Sequence, residues 1–205
     1  MVSVYDLKPR FQALLRPLCL SLAGRGITAN QVTVAAFVLS LLHGLWIASG
    51  VWTMLALLTL PVTLFLRMAL NAIDGMLARE FNQKSRLGAL LNELGDIAAD
   101  AALYLPLIWV AGMPQVLLAS VVILGLLVEV AAILGPMIGA SRRYDGPFGK
   151  SDRALFFSLF AVLVATGVLQ GPLITAALAL GLLLGAACLA QRMRRALAEA
   201  PGDTP

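Results

Sequence analysis

Charged residues are scarce in this chain of 205 residues, in which Asp, Glu, Lys and Arg together make up only 13%. Soluble globular domains usually carry about a quarter of their residues as charges. Hydrophobic residues make up 60% of this chain, and its mean hydropathy is +0.90. The composition therefore predicts an integral membrane protein and gives no reason to expect a nucleic-acid partner, although the net charge is +4.

Cysteine and histidine are also rare. Cys19 and Cys188 lie far apart in apolar surroundings, and His43 is the one histidine. Zinc and redox motifs need such residues at close, regular spacings, so neither kind of motif is expected. We expect both cysteines to be packing residues without a disulfide, and His43 to be a hydrogen-bonded packing residue.

A convincing signal peptide is missing from the first residues, because Lys8, Arg10 and Arg16 interrupt their apolar run and no clear cleavage site follows. The alternation of basic and apolar residues is typical of a helix that lies in the membrane interface. We therefore expect residues 1–28 to form an interfacial amphipathic helix and a linker.

The rest of the chain contains six apolar segments, each close to the roughly 20 residues that one membrane crossing requires. They predict an all-α integral membrane protein with a single domain over residues 1–205. Residues 29–190 would form a core of six transmembrane helices, and residues 191–205 a cytoplasmic tail. The segments lie near Asn30–Gly50, Thr53–Ala78, Gly88–Ala111, Pro114–Ala140, Ser151–Gln170 and Pro172–Ala190.

The distribution of Lys and Arg predicts the orientation. All of the 15 basic residues except Arg67 lie near the termini or in alternate connections, whereas the turns near Gly50, Gly112 and Gln170 are short and uncharged. By the positive-inside rule, the basic side is cytoplasmic, and both termini lie on it. We expect the chain to reside in the cell (inner) membrane.

Polar residues recur on one face of the second segment and on one face of the third. Such residues are costly inside a membrane and are therefore functional candidates. The connection between the segments is short, so the two helices should be antiparallel and their polar faces should meet near the cytoplasmic surface. These residues are Arg67, Asn71, Asp74 and Ala78 on the second segment, and Gly88, Asn92, Asp96 and Asp100 on the third.

Carboxylate and amide oxygens are ligands for hard cations such as Mg²⁺, Mn²⁺ or Ca²⁺. A cation there would bind a pyrophosphate, while Gly75 and Gly88 leave room for a bulky anionic ligand and Arg79 contacts phosphate oxygens. The alternative is that the polar residues only hold the helices together through hydrogen bonds and an ion pair such as Arg67–Asp74. Convergence of acids, glycines and basic residues at one depth favours the metal and phosphate site.

This pattern resembles the signature of the CDP-alcohol phosphotransferases (CDP-alcohol phosphatidyltransferases) of the class I type, D-x₂-D-G-x₂-A-R-x₈-G-x₃-D-x₃-D. Residues 71–79 and 88–96 match it at every spacing, with Asn71 and Asn92 in place of two of the four aspartates. Residues 26–33 also resemble the stretch that opens the family's first transmembrane helix. The resemblance implies the whole fold, with an interfacial helix and six transmembrane helices.

The resemblance also implies a reaction of phospholipid synthesis. A CDP-linked donor such as CDP-diacylglycerol would transfer its substituted phosphate to a small, possibly phosphorylated, alcohol at the cytoplasmic face, and CMP would leave. One or two Mg²⁺ or Mn²⁺ ions would assist, and Asp96 would be the catalytic base. The implied metal-binding residues are Asn71, Asp74, Asn92, Asp96 and Asp100, and the implied CDP-binding residues are Thr33, Asp74, Gly75, Ala78, Arg79 and Gly88.

The two asparagines leave alternatives open. An amide oxygen coordinates a cation without contributing charge, so a single metal or weaker metal binding could result, unless Asp100 and Glu93 supply the charge. The chain could be a non-catalytic descendant that binds a nucleotide or a lipid headgroup. The pattern Asn92-x₃-Asp96-x₃-Asp100 also resembles the polar motif of intramembrane prenyltransferases. Those enzymes use more membrane spans and a second acidic motif, which this sequence does not show. A transporter would be expected to show inverted repeats or interrupted helices.

The later polar residues suggest further contacts. Arg142, Lys150 and Arg153 would bind a phosphate on the acceptor, or would anchor lipid headgroups instead. Glu129 would pair with Arg67 or line the acceptor cavity, and Ser151 or Asp152 would cap a helix. The small residues of the last segment suit close helix contact, for which a homodimer is one explanation.

Overall fold

The computed structural model describes residues 4–201, with side chains described from Arg10 onward. The regular elements in this part of the chain are all helical: seven α-helices and two short 3₁₀ helices. The 3₁₀ helices are Leu105–Trp109 and Gly135–Ile138. The α-helices are α1 (Val4–Gly24), α2 (Ala29–Ser49), α3 (Thr53–Glu80), α4 (Arg86–Tyr104), α5 (Gln115–Leu134), α6 (Lys150–Ala165) and α7 (Pro172–Glu199).

Every predicted apolar segment contains a helix. In the described part of the chain, four helical stretches are long and apolar enough to cross a membrane: α2, α3, Gln115–Ile138 and α7. The third and fifth segments correspond to α4 and α6, which have 19 and 16 residues. The count of six crossings and the cytoplasmic position of the termini remain predictions.

Prolines explain why two predicted segments are divided. Pro106 and Pro136 each lie at the start of a 3₁₀ helix that directly follows α4 or α5. Proline lacks the backbone N–H and its ring collides with the preceding turn, so an α-helix ends or tightens there. At each of these prolines, the α-helix is followed by a 3₁₀ helix within the same apolar segment.

The chain divides into two compact units, of which the first comprises Met1–Leu42 and Val62–Ala99. In its core, Cys19 of α1 packs with Ala29 and Val32 of α2 and with Ile73, Met76 and Leu77 of α3. On α1, Leu14 and Leu18 are 79% and 51% exposed. These two side chains are one turn apart, so α1 presents apolar surface outward, as an interfacial helix requires.

Side-chain caps fix the start of α2 and α4. Thr28 accepts the backbone N–H of Gln31, and Gln31 Oε1 accepts that of Thr28, which is a reciprocal capping box. Gln83 Oε1, from the connection between α3 and α4, accepts the backbone N–H of Ala29 at 2.7 Å. Ser85 caps α4 by accepting the N–H of Gly88 at 2.9 Å. The first turn of α2 is thereby joined to the α3–α4 connection.

The second unit comprises His43–Pro61 and Asp100–Pro205, and α5 packs along α7 within it. A Cβ atom at Gly181 would lie 3.1 Å from the ring of Phe156, and one at Gly185 would lie 2.9 Å from Leu124. These glycines therefore serve close packing inside the chain. The homodimer expected from the small residues of this helix remains a prediction.

The single histidine and the two cysteines behave as packing residues, as predicted. His43 is buried and donates from Nε2 to the carbonyl oxygen of Ala56 at 3.0 Å. Cys19 and Cys188 are both buried and carry free thiols. Of the two residues expected to cap α6, Asp152 does so, because its Oδ2 accepts the N–H of Gly149 at 3.0 Å.

Candidate functional site

The polar faces of α3 and α4 meet, as the spacing of their residues predicts. Asn71 Nδ2 donates a hydrogen bond to Asp96 Oδ1 at 2.9 Å. Both side chains are partly buried. Asn92, one turn before Asp96 on α4, is partly buried as well, so it belongs to the same helix face.

Arg67 reinforces the contact between these helices from one turn further along α3. Its Nη2 donates to the backbone oxygen of Asp96 at 3.1 Å and lies 3.7 Å from Asp96 Oδ1. The Arg67 side chain is only 4% exposed, whereas that of Asp96 is 22% exposed. The guanidinium therefore contributes positive charge beside the proposed base, a contact that the sequence did not reveal.

Thr33 connects α2 to the same constellation. Its hydroxyl donates to Asp74 Oδ2 at 2.8 Å and also lies 3.1 Å from the carbonyl oxygen of Ala29 in the preceding turn. Asp74 is 4% exposed and Thr33 is 9% exposed. The first unit thus collects polar side chains from α2, α3 and α4.

The two signature glycines have different neighbours. A Cβ at Gly75 would lie 3.1 Å from Arg79 Nη2, because the guanidinium folds back over the glycine. A Cβ at Gly88 would lie 2.7 Å from Asn30 Oδ1 and 2.9 Å from Ser85 Oγ. Gly75 therefore makes room for Arg79, and Gly88 lets α4 approach the first turn of α2. Ala78 packs, partly buried, against the core around Cys19.

A small apolar hollow lies beside Thr33, with a volume of about 80 Å³. Its other lining residues are Val34 and Phe37 of α2 and Leu91 and Gly95 of α4. Thr33 therefore contacts a carboxylate with its hydroxyl and lines apolar space with the rest of its side chain.

The donor atoms of the first unit fit a hard divalent cation. Its signature positions offer carboxylate oxygens from Asp74 and Asp96 and amide oxygens from Asn71 and Asn92, which are the ligand types of Mg²⁺ and Mn²⁺. Among residues 4–201, no group of three or more His, Cys, Asp or Glu residues is arranged to hold a metal ion. The fit therefore rests on the mixed set of carboxylates and amides.

The second unit contains a buried group of four charged side chains. Arg153, 1% exposed, donates to Asp100 Oδ2 at 2.8 Å, to Glu129 Oε1 at 3.1 Å and to the carbonyl oxygen of Phe148 at 3.2 Å. Arg192 donates to Val128 O at 2.7 Å and to Glu129 at 3.4 Å. Charges buried in this way need such partners.

These contacts identify the partners of Glu129 and show that two predicted site residues pair with each other. Glu129 forms structural ion pairs with Arg153 at 3.1 Å and with Arg192 at 3.4 Å. The pairing expected with Arg67 remains a prediction. Asp100, predicted as a metal ligand, and Arg153, predicted for the acceptor, pair with each other. Nothing in the sequence pattern singled out Gly125, although a Cβ there would lie 2.8 Å from Arg153 Cδ.

The connection that leads into α6 carries the other residues predicted for the acceptor. Arg142 is partly buried, with its guanidinium carbon 5.1 Å from the centre of the exposed Tyr144 ring. Lys150, also partly buried, is the first residue of α6. Their contribution to acceptor binding remains a prediction.

Asp145 anchors this connection to the end of α7. Its carboxylate accepts from Arg143 at 2.7 Å and from Arg195 at 3.3 Å, and its backbone oxygen accepts from Arg192 at 3.0 Å. Burial acts to raise the pKa of Asp145, but the hydrogen bond and charge of Arg143, with the charge of Arg195, hold that pKa below its ordinary value.

Comparisons with known proteins identify relatives of the chain. A family model described as CDP-alcohol phosphatidyltransferase matches residues 26–186. Inner membrane protein YnbA of Escherichia coli (strain K12) is 49% identical over 164 residues, which are 80% of this chain and 81% of that protein. With its apolar helices, this likeness makes the chain an integral membrane protein.

Solved structures of Mycobacterium tuberculosis phosphatidylinositol phosphate synthase (PgsA1) share the fold. The structure with CDP-DAG bound gives a TM-score of 0.75 at 18% identity and covers 91% of this chain and 94% of that one. The complex with manganese and citrate gives a TM-score of 0.74 at 18% identity and covers 91% and 90%. At this identity, the likeness establishes the fold alone.

Proposed function

The chain belongs to the CDP-alcohol phosphatidyltransferase family, and we propose that it transfers a substituted phosphate from a CDP-linked donor to a small alcohol and releases CMP. The donor we propose is a lipid such as CDP-diacylglycerol, which would make the reaction a step of phospholipid synthesis. The family match spans residues 26–186 and so includes every residue proposed for the donor and metal sites. A structural neighbour of the same fold has CDP-DAG bound.

The observation that carries this proposal is the meeting of the signature residues of α3 and α4. Asn71 lies 2.9 Å from Asp96, and Thr33 of α2 holds Asp74 at 2.8 Å. Residues that are scattered in the sequence therefore form hydrogen-bonded pairs across neighbouring helices of the first unit. Interhelical hydrogen bonds alone would not require two glycines and an arginine beside them.

A divalent cation, Mg²⁺ or Mn²⁺, would neutralise charge on the donor pyrophosphate when bound. Asp74 and Asp96 would hold it, with the amide oxygen of Asn92. Asn71, implied as a further ligand, turns its amide nitrogen towards Asp96. Asp100, which pairs with Arg153, stays in the proposed ligand set. Arg79 would contact the diphosphate, and Gly75, Ala78 and Gly88 would border the nucleotide with Thr33.

The proposed chemistry needs one proton transfer and one displacement at phosphorus. The Asp96 carboxylate accepts the proton of the acceptor hydroxyl while that oxygen forms a bond to the donor phosphorus. The bond from this phosphorus to the bridging oxygen of the pyrophosphate breaks, and CMP takes the electron pair. Positioning and electrostatics suffice for this reaction, so no covalent enzyme intermediate is proposed.

A phosphorylated acceptor would find basic residues in the second unit. Arg142 and Lys150 are the proposed contacts, since a guanidinium and an ammonium both bind phosphate oxygens. Arg153 would reach such a phosphate only by giving up a contact to Asp100, Glu129 or Phe148. We place the reaction at the cytoplasmic face of an inner membrane, where the basic residues would lie.

The test is acceptor-dependent release of CMP from CDP-diacylglycerol by the purified chain in liposomes. The assay supplies Mg²⁺ or Mn²⁺ and a panel of alcohols that includes glycerol phosphate, inositol phosphate and serine. Asp96→Asn should lower the rate by at least about 100-fold, since general base catalysis typically contributes that much or more. Asp152→Asn, which changes only the cap of α6, is the matched control.

Asn71 and Asn92 favour a second candidate, a non-catalytic family member that binds a nucleotide or lipid headgroup. Such a protein would bind CDP-diacylglycerol, would release no CMP with any acceptor or metal, and would tolerate Asp96→Asn in binding. Acceptor-dependent CMP release that disappears in Asp96→Asn would exclude it. The same assay therefore decides between the two functions.

A further inference from the structure

Asn71 occupies the first position of the signature, and its side chain contacts Asp96 through the amide nitrogen. The distance from Asn71 Nδ2 to Asp96 Oδ1 is 2.9 Å. Because an ionised carboxylate can only accept hydrogen bonds, the amide nitrogen must be the atom that faces it. An N–H group cannot coordinate a cation, so no metal ion bridges Asn71 and Asp96 at this contact.

An aspartate at position 71 would create a different situation. Two carboxylates would then face each other at the same separation, and such a pair is stable only with a shared proton or with a cation between them. Asparagine removes that requirement and supplies a donor instead. The substitution therefore replaces one place for a cation with a hydrogen bond.

The charges around Asp96 agree with this assignment. Signature positions contribute two carboxylates, Asp74 and Asp96, and two neutral amides. The Arg67 guanidinium is already 3.7 Å from Asp96 Oδ1. Two divalent cations at the spacing of about 3.5–4 Å found in two-metal sites would bring four positive charges to two carboxylates and a guanidinium. A single divalent cation with the same guanidinium would bring three positive charges to those two carboxylates, which is a much smaller excess.

We propose that Asn71 is a positioning residue that orients Asp96, and that the site consequently holds one divalent cation per chain instead of the two implied by a four-aspartate signature. This inference rests on the proposed function, because it concerns the same site. It predicts that the number of bound cations follows the number of carboxylates at the signature positions.

Binding of Mn²⁺ to the purified full-length chain in detergent micelles tests the inference without any substrate. The spectrum of free Mn²⁺ in electron paramagnetic resonance gives the number of ions bound per chain. Wild type should bind one ion, and Asn71→Asp should bind two. Asn82→Asp is the matched control, since it adds the same charge at an exposed residue of the α3–α4 connection and should leave one ion bound.

Asn71→Ala tests the positioning role separately and does not depend on the folding of Asn71→Asp. It removes the hydrogen bond to Asp96 without adding charge. Binding should remain at one ion but become about tenfold or more weaker, the usual effect of losing a partner that orients a ligand. Conservative replacement by Gln should recover part of the affinity.

Two bound ions in wild type, or none, would overturn the inference, as would a folded Asn71→Asp that binds only one. Unchanged Mn²⁺ affinity in Asn71→Ala would overturn the positioning role. Release of CMP, measured in parallel, separates this result from the proposed function. A chain that binds one ion and releases no CMP contradicts the function alone, whereas an active chain with two ions contradicts only the inference.

Discussion

Asp74 is 4% exposed, and a carboxylate with so little access to solvent depends on the hydrogen bonds that surround it. Thr33 provides one of these bonds at 2.8 Å, from a different helix. Hydrogen bonds to charged groups contribute about 1.5–3 kcal/mol, more than bonds between neutral groups. The hydroxyl of Thr33 is therefore expected to matter for both the orientation of Asp74 and the affinity for the donor.

Thr33→Val keeps the shape of the side chain and removes this hydroxyl. We expect kcat/KM for the CDP-linked donor to fall by about 10-fold to 100-fold, as for other groups that orient metal ligands. The KM for the acceptor should change little, because Thr33 is proposed to act on the donor side. The measurement is CMP release in liposomes with donor and acceptor varied in turn.

Two variants make this experiment specific. Thr33→Ser retains the hydroxyl and should keep most of the activity. Ser40→Ala removes a buried hydroxyl of the same helix that bonds to the carbonyl oxygen of Ala36, and it should leave the donor kinetics unchanged. Equal losses in Thr33→Val and Ser40→Ala would indicate a general effect on the helix and would contradict a specific role for Thr33.

At the scale of helices and connections, local sequence patterns predicted some contacts and left others undetected. The spacing of Asn71 and Asp96 on their helix faces, with a short connection between, predicted that they would meet, and they do. The pair of Arg153 and Asp100 lies 53 positions apart in sequence. No periodicity joins such residues, because their contact depends on how several helices pack rather than on one helix face.

The connection into α6 predicts a pH dependence, because Arg143 and Arg195 lower the pKa of Asp145. A carboxylate whose pKa is lowered by folding stabilises the fold above its ordinary pKa of about 4. That stabilisation is lost as the pH falls through the lower pKa of the folded protein. Protonation removes the charge that Arg143 and Arg195 share, so the connection should loosen from the end of α7.

Thermal unfolding in detergent micelles between pH 6 and pH 3 checks this dependence. Wild type should be more stable than Asp145→Asn by about 1 kcal/mol near pH 6, a modest value for a partly exposed ion pair. The difference should shrink as the pH falls below about 4, the ordinary pKa of an aspartate. Arg143→Met should flatten the profile only in part, because Arg195 remains 3.3 Å from the Asp145 carboxylate. Parallel profiles for all three proteins would refute the assignment.

Across the whole molecule, both helices that fall short of a simple membrane span carry charged residues proposed for the site, although α2 and α3, which are long and apolar enough, carry site residues as well. Helix α4 includes Asp96 and Asp100 in only 19 residues, and α6 begins with Lys150 and includes Arg153 in 16. Charged residues lower the hydropathy of a helix, so an active site built on a membrane helix weakens the very signal that identifies the span. Composition and length therefore detect four of the six predicted crossings.

Whether α4 crosses the membrane can be tested with cysteines placed at its two sides, in a chain whose buried Cys19 and Cys188 are replaced by alanine. Asn82 precedes α4 and Ala111 follows its 3₁₀ extension, and both are exposed. By the positive-inside rule, a membrane-impermeant maleimide should label Asn82→Cys only in inside-out vesicles and Ala111→Cys only in right-side-out vesicles. Val168→Cys, which follows α6, should behave like Ala111→Cys.

Labelling of Asn82→Cys and Ala111→Cys from the same side would mean that α4 does not cross, and labelling with both sides exchanged would reverse the orientation. The first result would require a different count of crossings, and the second would place the proposed site away from the cytoplasm, where CMP could not be returned to the nucleotide pool.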